Sequence, residues 1–238
     1  MRRFPVLAGF CLALVCCAGR WSGAQSGTYF APVAPSESIP NLDKFKDELK
    51  QYHACTCKCG CYGRDLDLQA NRAIVFLRRR AARTTADEKL ALVLDIDETS
   101  LSNYAEMEKA GFAYDAKAFN AWVNSAQAPA IPGTLRIFKE ARRLGVAVFF
   151  VTGRPEAQRD VTRQNLRAQG LDGWQQLILR SSGEAGLTAL AYKSAERAKI
   201  AAQGYRIVLN VGDQWSDLRG TPEAEYSVKY PDPYYFLK

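Results

Sequence analysis

Four short runs, apolar apart from Asp95, Arg206 and Asn210, punctuate the chain at 92–96, 146–151, 177–179 and 206–211. Continuous runs of this length, without polar alternation, predict strands buried on both faces. Between them lie stretches whose apolar residues recur at helical intervals. They predict helices over 42–52 behind Asn41 as a cap, over 65–83, where Leu66, Leu68, Ala73, Ile74 and Leu77 recur at helical intervals, and over 134–144, 156–169 and 194–203. Strand and helix alternating at this spacing give right-handed crossovers. The expected fold class is α/β, a Rossmann-like doubly wound parallel sheet. After strand one the pattern breaks into a mixed, aromatic-rich stretch, about 103–130, which predicts a small, mainly helical cap insertion.

The strand ends carry the chemistry. The first runs into Asp95 and Asp97, the second into Thr152, Gly153 and Arg154, the fourth into Asp213 and Asp217. Asp-x-Asp after a strand is more often a turn than a site. In a parallel sheet, however, the C-terminal ends share one edge, so these residues are expected to converge. A cluster of Asp without Cys or His selects a hard, oxygen-loving cation, and Mg²⁺ suits a site completed by phosphate. One carboxylate can attack phosphorus while the one two residues on moves protons. Thr152 offers a hydroxyl to a phosphoryl oxygen, and Lys193, read as the head of a helix, neutralises charge there. Gly153 and Arg154 are read as shaping that loop, with a solvent-facing Arg154 equally compatible.

Asp-Ile-Asp-Glu-Thr (95–99), Val-Thr-Gly-Arg (151–154), Tyr-Lys-Ser (192–194) and Gly-Asp-Gln-Trp-Ser-Asp-Leu (212–218), in that order, resemble the four motifs of the haloacid dehalogenase (HAD) superfamily of phosphatases. The wording is most similar to the subfamily IIIB acid phosphatases, which include bacterial lipoprotein acid phosphatases and plant vegetative storage proteins. The resemblance covers about 41–238, with Asp232 where that branch has Asn in its closing Pro-Asn-Pro segment. It implies Asp95 as nucleophile and metal ligand, Asp97 as acid/base with its carbonyl on the metal, and Asp213 as the third ligand. It further implies Thr152, Gly153 and Lys193 as phosphate binders, with Asp217 supporting the Mg²⁺ shell from outside. Tyr104, Trp122 and Tyr230 or Tyr234 are candidates for stacking on a base or aryl leaving group; the alternative is that they form the cap's core. The implied activity is hydrolysis of phosphate monoesters, 5'-nucleotides among them, through an aspartyl-phosphate. Leaving-group departure would need Asp97 protonated, so acidic pH is expected to help. The alternative is a non-catalytic storage or binding protein on the same scaffold.

Length and charge narrow the rest. With 238 residues, 47% hydrophobic and 24% charged, the chain can bury one full core. Residues 1–24 read as a signal peptide: Arg2 and Arg3, an apolar stretch too short to span a bilayer, then Ser22-Gly23-Ala24. Residues 25–40 read as a tail or linker before the domain at 41–238. Removal of 1–24 takes three arginines from a formal charge of +7. An exported protein, periplasmic or secreted, is expected; lipidation at Cys17 would instead make it an outer-membrane lipoprotein and is the one route to a membrane. The modest positive charge suits anionic small substrates. No nucleic-acid polymer is expected, because Arg78-Arg79-Arg80 reads as a solvated helix face. Cys55, Cys57, Cys59 and Cys61 alternate beside His53, the chain's one histidine. That spacing fits no usual zinc pattern, so disulfides are expected in an oxidising compartment, with metal binding or thiol chemistry as the alternative.

Overall fold

Strand β1 (Lys89–Leu94) lies at the centre of a five-stranded, all-parallel sheet. Its neighbours are β2 (Ala147–Pro155) and β4 (Tyr205–Gly212), with β3 (Gln176–Arg180) and β5 (Tyr226–Lys229) outside them, giving the order β3-β2-β1-β4-β5. Leu94 stands level with Phe150 on one side and Val211 on the other, so the three central strands end together. The chain leaves β1 in one direction to build β2 and β3 and returns to the other side for β4 and β5. The crevice at that reversal is where such sheets bind ligands. The computed structural model describes residues 41–57 and 61–237, all within the unit Pro40–Lys238. The expected signal peptide, the tail at 25–40, Cys17 and Cys59 lie outside the described residues.

The two-residue period of β1 sorts the core into two layers. Leu90, Leu92 and Leu94 face a cluster built with Leu66, Ala70, Ala73 and Leu77 of α2 (Tyr62–Ala81) and Ile137, Phe138 and Ala141 of α5 (Pro132–Arg143). Ala91 and Val93 face the other way, onto Tyr192 and Ile200 of α7 (Ala189–Ala202). Each of these leucines is almost fully buried, a stabilisation of roughly 1.5–3 kcal/mol apiece. Helices α2 and α5 approach closely enough that a Cβ on Gly133 would meet Ala70 Cβ at 2.9 Å, so glycine is required there.

Glu140 fastens the same two helices. It accepts from Arg143 Nη2 at 2.6 Å within α5 and from Arg78 Nε of α2 at 2.7 Å. Those bonds, Arg143's first, lower its pKa to about 2. A carboxylate lowered on folding contributes stability above its unfolded pKa and loses it as the pH falls from there through the folded value. Melting temperature is therefore expected to drop between about pH 4.5 and pH 2 less steeply for Glu140→Gln than for the parent. Identical slopes in a pH series of thermal melts would remove this account.

Helix α1 (Leu42–Ala54) starts as the sequence implies, Asn41 Oδ1 accepting from the backbone N–H of Asp43 and Lys44. A Cys55–Cys61 disulfide joins its end to the start of α2, in line with the disulfide reading for that pair. Two differences matter. Strand β5 has no counterpart among the predicted runs. Helix α7 begins at Ala189, not near 194, because Thr188 caps it by accepting from Ala191 N–H at 3.2 Å. Lys193 thus sits in its second turn. The stretch after β1 forms α3 (Tyr104–Lys109) and α4 (Ala116–Ser125). Among the described residues no helix is long and apolar enough to cross a membrane.

Candidate active site

Asp95 is the first residue past β1, and its N–H still donates to Val211 O of β4, so the ladder fixes where its side chain leaves the sheet. The chain then folds into a tight loop in which Ile96 O accepts from the N–H of Ser100 and Leu101. Glu98 takes a left-handed φ of 56°, a conformation few side chains adopt. The Asp95 carboxylate is buried and contacts Lys193 Nζ, which also donates to Val151 O at 2.6 Å and lies 3.0 Å from Asp217 Oδ1. Burial pulls the Lys193 ammonium down, but Asp217 and Asp95 outweigh it and hold it charged, above its usual range.

Asp213 follows β4 directly. Its Oδ1 accepts from Thr99 Oγ1 at 2.8 Å, and its Oδ2 from Gln214 Nε2 at 2.8 Å and Tyr235 Oη at 3.3 Å. Asp217 sits in α8 (Trp215–Leu218), where its Oδ2 caps the helix by accepting from Gln214 N–H at 2.9 Å. A Cβ on Gly212 would come within 2.4 Å of Asp217 Cβ, so a glycine before Asp213 lets Asp217 turn inward. Carboxylate oxygens of Asp95, Asp213 and Asp217 all lie within 4.8 Å of one another. Of these three buried acids, Asp95 and Asp217 reach the Lys193 ammonium. Burial, reinforced by neighbouring carboxylates, pushes Asp95 well above its usual range and Asp213 up to about 7. An all-oxygen donor set short of positive charge fits a hard divalent cation. Asp217, which its spacing from Asp213 places outside the metal shell, lies within 4.8 Å of the other two carboxylates and so joins them as a further candidate ligand. The reason is that α8 is a single capped turn that points its third residue inward.

Asp97 goes elsewhere. Arg154 Nη2 donates to its Oδ1 at 2.7 Å and Arg154 Nε reaches both oxygens at 3.1 Å, while Asn103 Nδ2 donates to Oδ1 at 2.8 Å. Burial pushes the Asp97 carboxyl up, but Arg154 and Asn103 outweigh it and hold it below the usual carboxylate range. Asn103 is the hub of this side: it also donates to Glu98 Oε2 at 2.8 Å and accepts from Trp122 Nε1 at 2.9 Å. Arg154 is buried, which removes the solvent-facing alternative.

These groups form the floor of a cavity of ≈ 540 Å³. The predicted loop after the second run is the end of β2 itself, and there Gly153, Arg154 and Pro155 line the cavity. Thr152 does not: it is fully buried, and its hydroxyl accepts Arg154 N–H at 3.1 Å. The stacking candidates part company too. Tyr230 is fully buried in the sheet's core and hydrogen-bonds Thr134 at 3.1 Å, so it cannot stack on a substrate. Trp122 packs at the core edge with its N–H on Asn103. Tyr104 stacks on His53, ring centroids 3.3 Å apart, behind the wall. The rings that do line the cavity are Phe112, Tyr114, Phe119, Tyr234, Tyr235 and Phe236. His53 serves this wall, its Nδ1 lying 2.6 Å from Tyr234 Oη. Asn103, Gln214 and Tyr235 went unread because single amides and aromatics carry no periodic signal; Arg154 sat within a quoted motif but without a partner.

Residues 29–238 match the family described as HAD superfamily, subfamily IIIB (Acid phosphatase). Acid phosphatase 1 of Solanum lycopersicum is 42% identical over 148 residues, 61% of this chain and 58% of that protein. Vegetative storage protein 1 of Arabidopsis thaliana is 35% identical over 150 residues, 61% of this chain and 54% of that protein. The matches thus span under two thirds of either relative. The class C acid phosphatase from Bacillus anthracis, solved with tungstate bound, superposes with a TM-score of 0.66 at 22% identity, covering 82% of this chain and 86% of that one, and shares the fold.

Proposed function

The chain belongs to subfamily IIIB of the HAD superfamily, the acid phosphatases, and on that premise we propose that it hydrolyses phosphate monoesters through an aspartyl-phosphate on Asp95. The observation that carries the reading is the buried Asp95–Lys193 pair on the floor of an open cavity, beside Asp213 and Asp217. Plant relatives of this family include proteins named for storage, but here the nucleophile position holds an aspartate with a lysine on it, as attack requires.

Lys193 lowers the repulsion between the attacking carboxylate and the phosphoryl group. Asp95 forms a bond to phosphorus as the bond to the ester oxygen breaks; that oxygen takes a proton, and the alcohol leaves. Asp97 then accepts a proton from the water that attacks the acyl phosphate, which returns Asp95 and releases phosphate. A divalent cation such as Mg²⁺, which Asp95, Asp213 and the Asp97 carbonyl would hold with Asp217 beside them, would neutralise these carboxylates and the phosphoryl oxygens.

Arg154 changes the expected origin of any acid preference. It keeps Asp97 ionised at rest, so the first proton is better supplied by the substrate, whose phosphate is a monoanion below about pH 6. Turnover should then fall as pH rises through the ester's own second ionisation. Export, by a signal peptide or with lipidation at Cys17, and action on 5'-nucleotides remain part of the proposal. The cavity's aromatic wall and its size support an aryl or nucleoside leaving group.

The test is phosphate release from a panel of monoesters, with and without a chelator. Activity is expected to vanish on exhaustive chelation and to return with excess Mg²⁺. Activity that survives chelation sinks the metal reading, and a pH profile that ignores the ester's ionisation sinks the substrate-borne proton.

A further inference from the structure

Three cationic side chains line the cavity, and two already hold carboxylates there: Arg154 on Asp97, and Lys193 on Asp95 and Asp217. The third is Arg180, the last residue of β3. It comes off the sheet edge that carries Asp95 and the C-terminal end of β2, one strand further out. Its guanidinium lies 4.7 Å over the ring of Tyr192, itself fully buried in α7, and among the described residues it hydrogen-bonds only Leu187 O, 3.4 Å from Nη1. Its Nε is buried without an acceptor. A buried guanidinium donor without an acceptor is rare, and a cavity wall is where a ligand can supply one.

The surroundings agree in sign. Ala189, the first residue of α7, lines the cavity too, so the positive end of that helix is presented beside Arg180's stacking partner. Ser216, also in the wall, is buried, and its Oγ has no partner. The carboxylates facing the cavity from α3 and the cap of α4 are Glu106, within 3.9 Å of Lys109, and Asp115, which accepts from Ala118 N–H. The α7 side is therefore the one that accepts an anion.

Resting on the phosphatase reading above, we infer that Arg180 is a specificity-determining residue that binds a second oxyanion on the substrate, a carboxylate or further phosphate carried by the organic part of the ester. The scissile phosphate itself is served by Lys193 and residues 153–154, and Arg180 touches none of Asp95, Asp97, Arg154 and Lys193. A cavity of ≈ 540 Å³ holds far more than a phosphoryl group, so the second group has room.

The test compares phenyl phosphate, 4-carboxyphenyl phosphate and 1,4-butanediol bisphosphate as substrates for the parent, Arg180→Gln and Arg180→Lys. In Arg180→Gln the kcat/KM of the two doubly anionic esters, relative to phenyl phosphate, is expected to fall about tenfold, mainly through KM. Arg180→Lys should restore part of that preference. A fall confined to the carboxylate or to the bisphosphate identifies which oxyanion is bound. Equal losses on all three esters, or no change on any, overturn the inference while leaving the phosphatase reading intact. A parent enzyme that hydrolyses none of them brings down that reading and the inference with it.

Discussion

Asp95→Asn is expected to abolish phosphate release, by about 10⁴-fold or more, in a chain that remains folded. Asparagine matches the shape of aspartate but offers no anionic oxygen to phosphorus. Lys193 keeps its partners in Asp217 and Val151 O, so the buried ammonium is not stranded and the floor of the cavity should keep its form. Circular dichroism and thermal melting check the fold; acid-quenched single turnovers check the chemistry. The parent should retain label from a phosphoryl-labelled ester and the variant none. Phosphate release at the parent's rate would rule Asp95 out as the nucleophile.

The second large effect lies outside the cavity. Arg197→Met should lower stability by about 2–4 kcal/mol and the melting temperature by roughly 10 °C, and reduce activity with it. Arg197 is almost fully buried on α7, and carbonyls, not carboxylates, hold it. Its Nε donates to Pro222 O at 2.9 Å, its Nη1 to Asp217 O, and its Nη2 to Arg219 O. It therefore clamps the segment that follows α8, with Asn210 Nδ2 adding a 2.8 Å bond to Asp217 O. Methionine fills much of the volume but makes none of these bonds, which leaves Asp217 O to Asn210, Arg219 O to a 3.4 Å contact from Ser194 Oγ, and Pro222 O without its Arg197 donor. Arg197→Lys should recover little, since one ammonium cannot span acceptors spread over residues 217–222. An unchanged melting temperature would refute the clamp.

Much of this was legible in the chain. The runs ending at Asp95 and before Thr152 and Asp213 became β1, β2 and β4, because strands buried on both faces must be apolar throughout. Strand β5 escaped notice because it is an edge: of Tyr226, Ser227, Val228 and Lys229 only the valine is buried. Helix α7 was placed too late because Ser194 and Thr188 are both acceptable caps, and sequence does not say which one the chain uses. Direction was the harder loss. Tyr230 and Tyr234 stand four residues apart with the same chemistry, yet one is core and the other lines the cavity. Arg197 looks in sequence like any solvated helix arginine; only the loop folded over it gives it a task.

The acids and the ammonium of this site come from widely separated parts of the chain, with Lys193 98 residues beyond Asp95 and Asp213 114 residues beyond Thr99. Contacts that distant form late, after most loop-closure entropy has been lost. In a refolding experiment, regain of turnover should therefore trail the recovery of helical circular dichroism, and activity becomes a stringent clock for completion of the native state.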